Sequence, residues 1–249
     1  MTPVRRGARR PRTASVKGVQ RSRYDCRNSS PERKPKDVMA RILVVCSANV
    51  CRSPLAEQLL QARLSTIPGF DRLVCSSAGI EVSRGHEMCA DAAAVLGLPS
   101  EGPKAAAHRA RRVTKSMIGG AGLVLTASRA ERSALAKLSP EARSKVFTLR
   151  EAAALAEAPD QAIATWRPGA GTTADQRLSD LAALLNARRG LAPAPKPERT
   201  GLFARFGSDV DPLDIADGHN LGKRAHRTTL RSVQRSVERF GAAVEALTR

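Results

Sequence analysis

From Arg41 onward the chain predicts an α/β fold: a doubly wound, parallel, four-stranded sheet flanked by helices. Two observations and one general rule predict it. Short apolar runs alternate with amphipathic stretches at helical spacing, the pattern of strands joined by helical crossovers. The apolar runs do not alternate with polar residues, so each strand is buried on both faces, as in a parallel sheet. Right-handed crossovers then distribute the helices over both faces.

The elements follow in order. Residues 42–45 (ILVV) read as the first strand, and 54–64 as a helix with Pro54 in its first turn. A second strand is expected at 73–76 and a short helix at 91–96. Another helix lies within 108–120, with Thr114 as a candidate cap ahead of 115–118. Strands at 123–126 and 146–148 are each followed by a helix, at 129–137 and 149–157. Leu178, Leu181, Leu184 and Leu185 share one face of a helical pattern over 173–189. A proline-rich linker occupies 190–201. The last element, 223–248, sets Leu230, Val233, Val237, Phe240, Val244 and Leu247 on one face and arginines on the other, which reads as a helix packed on the sheet with a solvated basic side.

Composition bounds the rest. With 249 residues, 42% of them hydrophobic, the chain can bury one substantial core. Its net charge is +19. Residues 1–40 alone hold 12 Lys or Arg against 3 Asp or Glu, with almost no apolar periodicity. Residues 1–38 are therefore expected to form a disordered basic arm, and Met39 stands where an alternative translation start would exclude it. One Trp, one Tyr and five Phe offer no stacking platform for single-stranded nucleic acid, so no specific nucleic-acid partner is expected. Five cysteines without framework spacing favour a reducing compartment, the cytoplasm. No apolar run approaches the roughly 18 residues of a spanning helix, so no membrane insertion is expected. His86, His108 and His226 stand at no metal-ligand spacing, which predicts neither a metal nor another cofactor, and Cys75 and Cys89 read as small buried hydrophobes.

The stretch with chemistry in it is VVCSANVCRSP, residues 44–54. A loop that leaves the carboxyl end of a parallel strand and enters a helix is an anion site, because the helix start presents unpaired N–H groups and a partial positive charge. Amides of residues 47–52 can curl into a nest around a tetrahedral oxyanion, and Arg52 can close it with a two-pronged grip. Cys46 then lies at the bottom, where amides, helix end and guanidinium all stabilise negative charge on its sulfur. The arrangement predicts a nucleophile aimed at phosphorus.

This C-x-x-x-x-x-R signature, followed by Ser-Pro, resembles that of the low-molecular-weight protein tyrosine phosphatases. SSAGI (76–80) looks like the family's SAGT segment, HRARRVT (108–114) like its H-x-A-R-x-T segment, and LVLTASR (123–129) like its third strand. The resemblance implies a phosphatase domain over 39–249, interrupted by an insertion and linker at about 158–208. It implies Cys46 as nucleophile, Arg52 as phosphoryl ligand, Ser53 as donor to the thiolate and Asn49 as the residue that holds the loop. Ser47, Ala48, Asn49, Val50, Cys51 and Ser53 would line the substrate-binding loop. The activity implied is phosphomonoester hydrolysis through a cysteinyl-phosphate, with a phosphorylated protein as partner. Ala48 replaces a common glycine, which requires that position 48 avoid positive φ. Val82 and Ser83 stand where relatives carry a large side chain, implying an open mouth.

In this family a Thr at position 50 would mark arginine phosphatases; Val50 leans toward tyrosine. The alternatives are a protein arginine phosphatase, an arsenate reductase on the same fold, which needs a redox pair that Cys75 and Cys89 do not form by spacing, and a catalytically weak anion-binding protein. The family's general acid is an Asp before Pro near the final helix. In DVDPLDIADGHN (209–220), Asp211 has the proline, but Asp217 has the D-I-x-D spacing and is the expected acid, with Gly218 making the turn and His219 replacing an aromatic of the pocket wall.

Overall fold

The structure, a computed structural model, describes residues 40–83, 85–97, 107–158, 172–190 and 211–249. The expected arm at 1–38, the linker after residue 190 and most of the expected insertion lie outside the described residues.

Four strands, β1 (Arg41–Cys46), β2 (Val74–Gly79), β3 (Leu123–Thr126) and β4 (Val146–Thr148), form one parallel sheet in the order β2-β1-β3-β4. Helices α1 (Arg52–Leu64), α2 (Ala90–Val95), α3 (Lys115–Gly119), α4 (Arg129–Leu138), α5 (Leu149–Glu157), α6 (Ala174–Ala187) and α7 (Lys223–Thr248) complete the described elements, with a 3₁₀ turn at Pro140–Lys145. The α/β class and four parallel strands agree with the sequence reading. β2 runs three residues past its expected end, because Ser77, Ala78 and Gly79 pair with Val44, Val45 and Cys46 although none is a strand former by propensity.

Successive residues of β1 serve opposite layers. Ile42 and Val44 join Leu123, Leu125 and Phe147 under α1, α5, α6 and α7, whereas Leu43 and Val45 join Val124, Val146, Ile118 and Leu135 under α3 and α4. This alternation explains the unbroken apolar runs. On α7, Leu230, Val233, Val237, Phe240 and Val244 are buried, each side chain worth about 1.5–3 kcal/mol of transfer free energy, while Arg227, Arg231 and Arg235 face outward.

Side-chain caps start several helices. Thr114 accepts from the Met117 amide and Ser128 from that of Glu131. Thr148 and Glu151 form a reciprocal capping box for α5. Pro54 is the third residue of α1, where the missing N–H is one the first turn would leave unpaired in any case. At the amino ends of the strands, Leu178 of α6 lies close against Gly122, where a Cβ would sit 3.0 Å from the leucine Cδ2 and be accommodated only if that side chain gave way slightly. Among the described residues no helix is long and apolar enough to cross a membrane.

Candidate active site

The loop between β1 and α1 sits where the sheet's winding reverses, since β1 has β2 on one side and β3 on the other. Cys46 ends β1 and is buried. Its sulfur accepts from the Asn49 amide at 3.3 Å and lies 3.0 Å from Ser53 Oγ. The backbone therefore curls around the sulfur, and Ser53 reaches it from the first turn of α1.

Asn49 holds this curl. Its φ is +56°, the left-handed region that Asn tolerates better than other non-glycine residues. Its Nδ2 donates to Ser53 Oγ and to Ser77 Oγ, each at 2.9 Å, and its Oδ1 accepts from the Arg111 amide at 3.0 Å. His108 Nε2 lies 2.8 Å from the Asn49 carbonyl oxygen. The loop's single positive φ among non-glycine residues thus falls on position 49, so Ala48 carries no strain of that kind. Gly79 ends β2 beside the loop for a steric reason: a Cβ there would meet the Ser47 carbonyl oxygen at 2.5 Å and Val82 Cγ2 at 2.7 Å. The SSAGI and HRARRVT segments accordingly brace the loop, Arg111 also donating from Nε to the Ser77 carbonyl at 2.9 Å.

Arg52 is 5% exposed. Its Nη1 donates to the Ile215 carbonyl at 3.2 Å and lies 3.4 Å from Glu131 Oε1; its Nη2 meets Asp217 Oδ2 at 2.5 Å. Glu131 was not singled out from sequence for this place, although Ser128-x-x-Glu131 is legible there as a capping pattern.

The two candidate acids separate. Asp217 projects to Arg52 and is half exposed, with its Oδ1 accepting from the His219 amide at 3.1 Å. Asp211 turns away, pairing with Arg129 Nη2 at 2.7 Å and accepting from the Leu213 amide. The segment is tied down from both sides, by the Ile215 amide on the Ala127 carbonyl at 2.8 Å and by Thr229 Oγ1 on the Ala216 carbonyl at 2.9 Å. Gly218 has no positive φ; it is required by close packing, since a Cβ would lie 2.6 Å from both the Ala225 carbonyl oxygen and Thr229 Oγ1 of α7.

Cys89 departs from its sequence reading, and Cys51, His219 and His226 gather beside it. Cys51 Sγ lies 3.2 Å from His219 Nδ1, and Cys89 Sγ lies 3.6 Å from His226 Nε2. His219 sets its ring edge-on to that of His226, with centroids 4.9 Å apart. The Cys51 thiol donates to Cys89, which pushes Cys51 up and draws Cys89 down. Cys89 is thus half-buried and engaged where a buried hydrophobe was expected, and the fold gives His226 the neighbours that spacing did not. Cys75 does lie in the core, its thiol pushed up to about 12, chiefly by burial.

Residues 41–162 match the family described as low molecular weight phosphotyrosine protein phosphatase. A protein-arginine-phosphatase of Geobacillus stearothermophilus is 36% identical over 111 residues, which is 45% of this chain and 70% of that protein. The probable low molecular weight protein-tyrosine-phosphatase EpsP of Ralstonia nicotianae is 36% identical over 110 residues, 44% of this chain and 70% of that protein. In three dimensions the YwlE arginine phosphatase from Geobacillus stearothermophilus aligns with a TM-score of 0.51 at 23% identity, over 83% of this chain and 94% of that one, a likeness of fold.

Proposed function

The chain belongs to the low molecular weight phosphotyrosine protein phosphatase family, and from that premise we propose that it dephosphorylates protein side chains, phosphotyrosine in preference, through a cysteinyl-phosphate on Cys46. The observation that carries the reading is the Cys46 sulfur enclosed by its own loop, with the Asn49 amide at 3.3 Å and Ser53 Oγ at 3.0 Å, beside a buried arginine that faces a carboxylate.

In this reading the phosphoryl oxygens occupy the amide nest and take the Arg52 guanidinium from Asp217, freeing that carboxylate to take up a proton from solvent and stand over the leaving group. Cys46 attacks phosphorus as the bond to the phenolic oxygen breaks, and Asp217 gives its proton to the departing oxygen. Asp217, now a carboxylate, takes a proton from water, whose oxygen attacks phosphorus and breaks the P–S bond, releasing phosphate and restoring the thiolate. Asp217 is preferred to Asp211 because it reaches Arg52, whereas Asp211 is held by Arg129. Val50 lacks a hydroxyl and favours the phosphotyrosine reading over phosphoarginine.

Turnover of p-nitrophenyl phosphate by the full chain tests the proposal. Cys46→Ser is expected to abolish it while vanadate still binds, and Arg52→Lys to be nearly as damaging, because a point charge does not reproduce the two-pronged grip. Substantial activity in either variant refutes the mechanism. Phosphotyrosine and phosphoarginine peptides compared side by side, with Val50→Thr as the switch, decide the substrate, and thioredoxin-linked arsenate reduction in place of hydrolysis would sustain the reductase alternative.

A further inference from the structure

Cys51, Cys89, His219 and His226 each offer one ligand atom, and the four atoms lie within 4.8 Å of one another. They come from four separate places: the start of α1, the start of α2, the segment carrying Asp217, and the first turn of α7. We propose that these four side chains form a tetrahedral zinc site that fastens the Asp217 segment to the phosphate loop.

The dimensions fit. Zinc bonds of about 2.3 Å to sulfur and about 2.0–2.1 Å to nitrogen make tetrahedral S–N edges of about 3.5 Å. Two of the four such edges measure 3.2 Å, Cys51 Sγ to His219 Nδ1, and 3.6 Å, Cys89 Sγ to His226 Nε2, and no pair of the four atoms is more than 4.8 Å apart. Two thiolates and two imidazoles form the donor set that zinc takes in closed, structural sites. The surroundings fit as well. With Nε2 turned to the site, His226 has Nδ1 3.1 Å from Asp91 Oδ2, so a carboxylate orients the ring and fixes the tautomer that leaves Nε2 free to ligate. Cys51 and His226 are buried while His219 is exposed, which gives the ion a floor and a way in.

The mechanical consequence follows from the chain. The His219 amide donates to Asp217 Oδ1, so a metal on the His219 ring fixes the turn that presents Asp217. The metal would add to the hold that Thr229 already has on this segment through the Ala216 carbonyl. The positional role rests on the phosphatase reading above; the binding of zinc does not.

The test uses the full chain, reduced, stripped with a chelator, and titrated with Zn²⁺ against a chromophoric competitor, with Co²⁺ as the spectroscopic probe. The expected result is one equivalent bound at roughly nanomolar affinity or tighter, with the Co²⁺ form showing thiolate charge transfer and tetrahedral visible bands. Cys89→Ser should remove much of the charge-transfer intensity. Asp91→Asn, a change at a half-exposed carboxylate that leaves all four ligands, should weaken binding about 10–100-fold with the spectrum retained. Cys26→Ser and Cys75→Ser should bind as the parent does, and so should Cys46→Ser, in which hydrolysis is lost for a separate reason. Zinc bound no more tightly than about micromolar overturns the proposal, as does a Co²⁺ spectrum unchanged by Cys89→Ser. A Cys51–Cys89 disulfide that persists in reductant and excludes metal also overturns it.

Discussion

Asn49→Ala removes one side chain and disturbs the whole phosphate loop. Three side-chain hydrogen bonds vanish, to Ser53, Ser77 and the Arg111 amide, at about 1 kcal/mol each. Alanine must also adopt φ +56°, which costs it about 1 kcal/mol more than asparagine or glycine. The expected loss is therefore about 4 kcal/mol, a large part of the 5–15 kcal/mol that holds a typical domain together. With a urea slope of about 2 kcal/mol/M the midpoint falls by about 2 M. Asn49→Gly keeps the left-handed backbone and loses only the hydrogen bonds, so it should sit about 1 kcal/mol above the alanine variant. The Asn49 N–H that reaches Cys46 belongs to the backbone and survives either change, but only while the loop stays curled, so turnover should fall by about 10²-fold in Asn49→Ala. Urea unfolding of the three proteins reads both numbers. A loss below about 1 kcal/mol in Asn49→Ala, or a glycine variant no more stable than the alanine one, would refute the assignment of Asn49 as the residue that holds the loop.

Three further outcomes are expected. Asp217→Asn should slow turnover strongly for aryl phosphates with poor leaving groups and little for good ones; the same pattern in Asp211→Asn instead would move the acid role there. Gly218→Ala places a Cβ 2.6 Å from two atoms of α7 and should cost about 1–3 kcal/mol of stability, so an unchanged thermal midpoint would contradict the packing argument. Cys75, pushed up to about 12, holds roughly one thiolate in ten thousand at pH 8, and iodoacetamide should leave it unlabelled in the folded protein; labelling at the rate of a free thiol would show that the core opens there.

Much of this was legible because it is local in the chain. Residues 46–53 carry thiol, loop, arginine, serine and helix start in one unbroken run, so the nest could be read before any fold existed. The strands announced themselves as apolar runs because both faces are covered. The end of β2 did not, since its Ser-Ala-Gly is selected by the loop leaning on Gly79 and not by strand propensity. Spacing alone separated Asp217 from Asp211 as a preference, whereas the contacts that distinguish them, Arg52 with the one and Arg129 with the other, join residues far apart in sequence. Cys51, Cys89, His219 and His226 span four elements, and no ligand spacing along the chain could signal their meeting. Glu131 follows Ser128 at capping spacing, but nothing in the sequence links it to Arg52.

The contact of Leu178 with Gly122 has an architectural meaning. Leu178 of α6 meets Gly122 at the amino end of β3, while Cys46, Arg52 and Asp217 gather at the carboxyl end of the sheet. The four residues of β3 put roughly 13 Å of hydrogen-bonded sheet between the two poles. The outward face of α6 is thereby insulated from the chemistry. Substitutions on that outward face can therefore change the surface there while leaving Cys46, Arg52 and Asp217 where they stand.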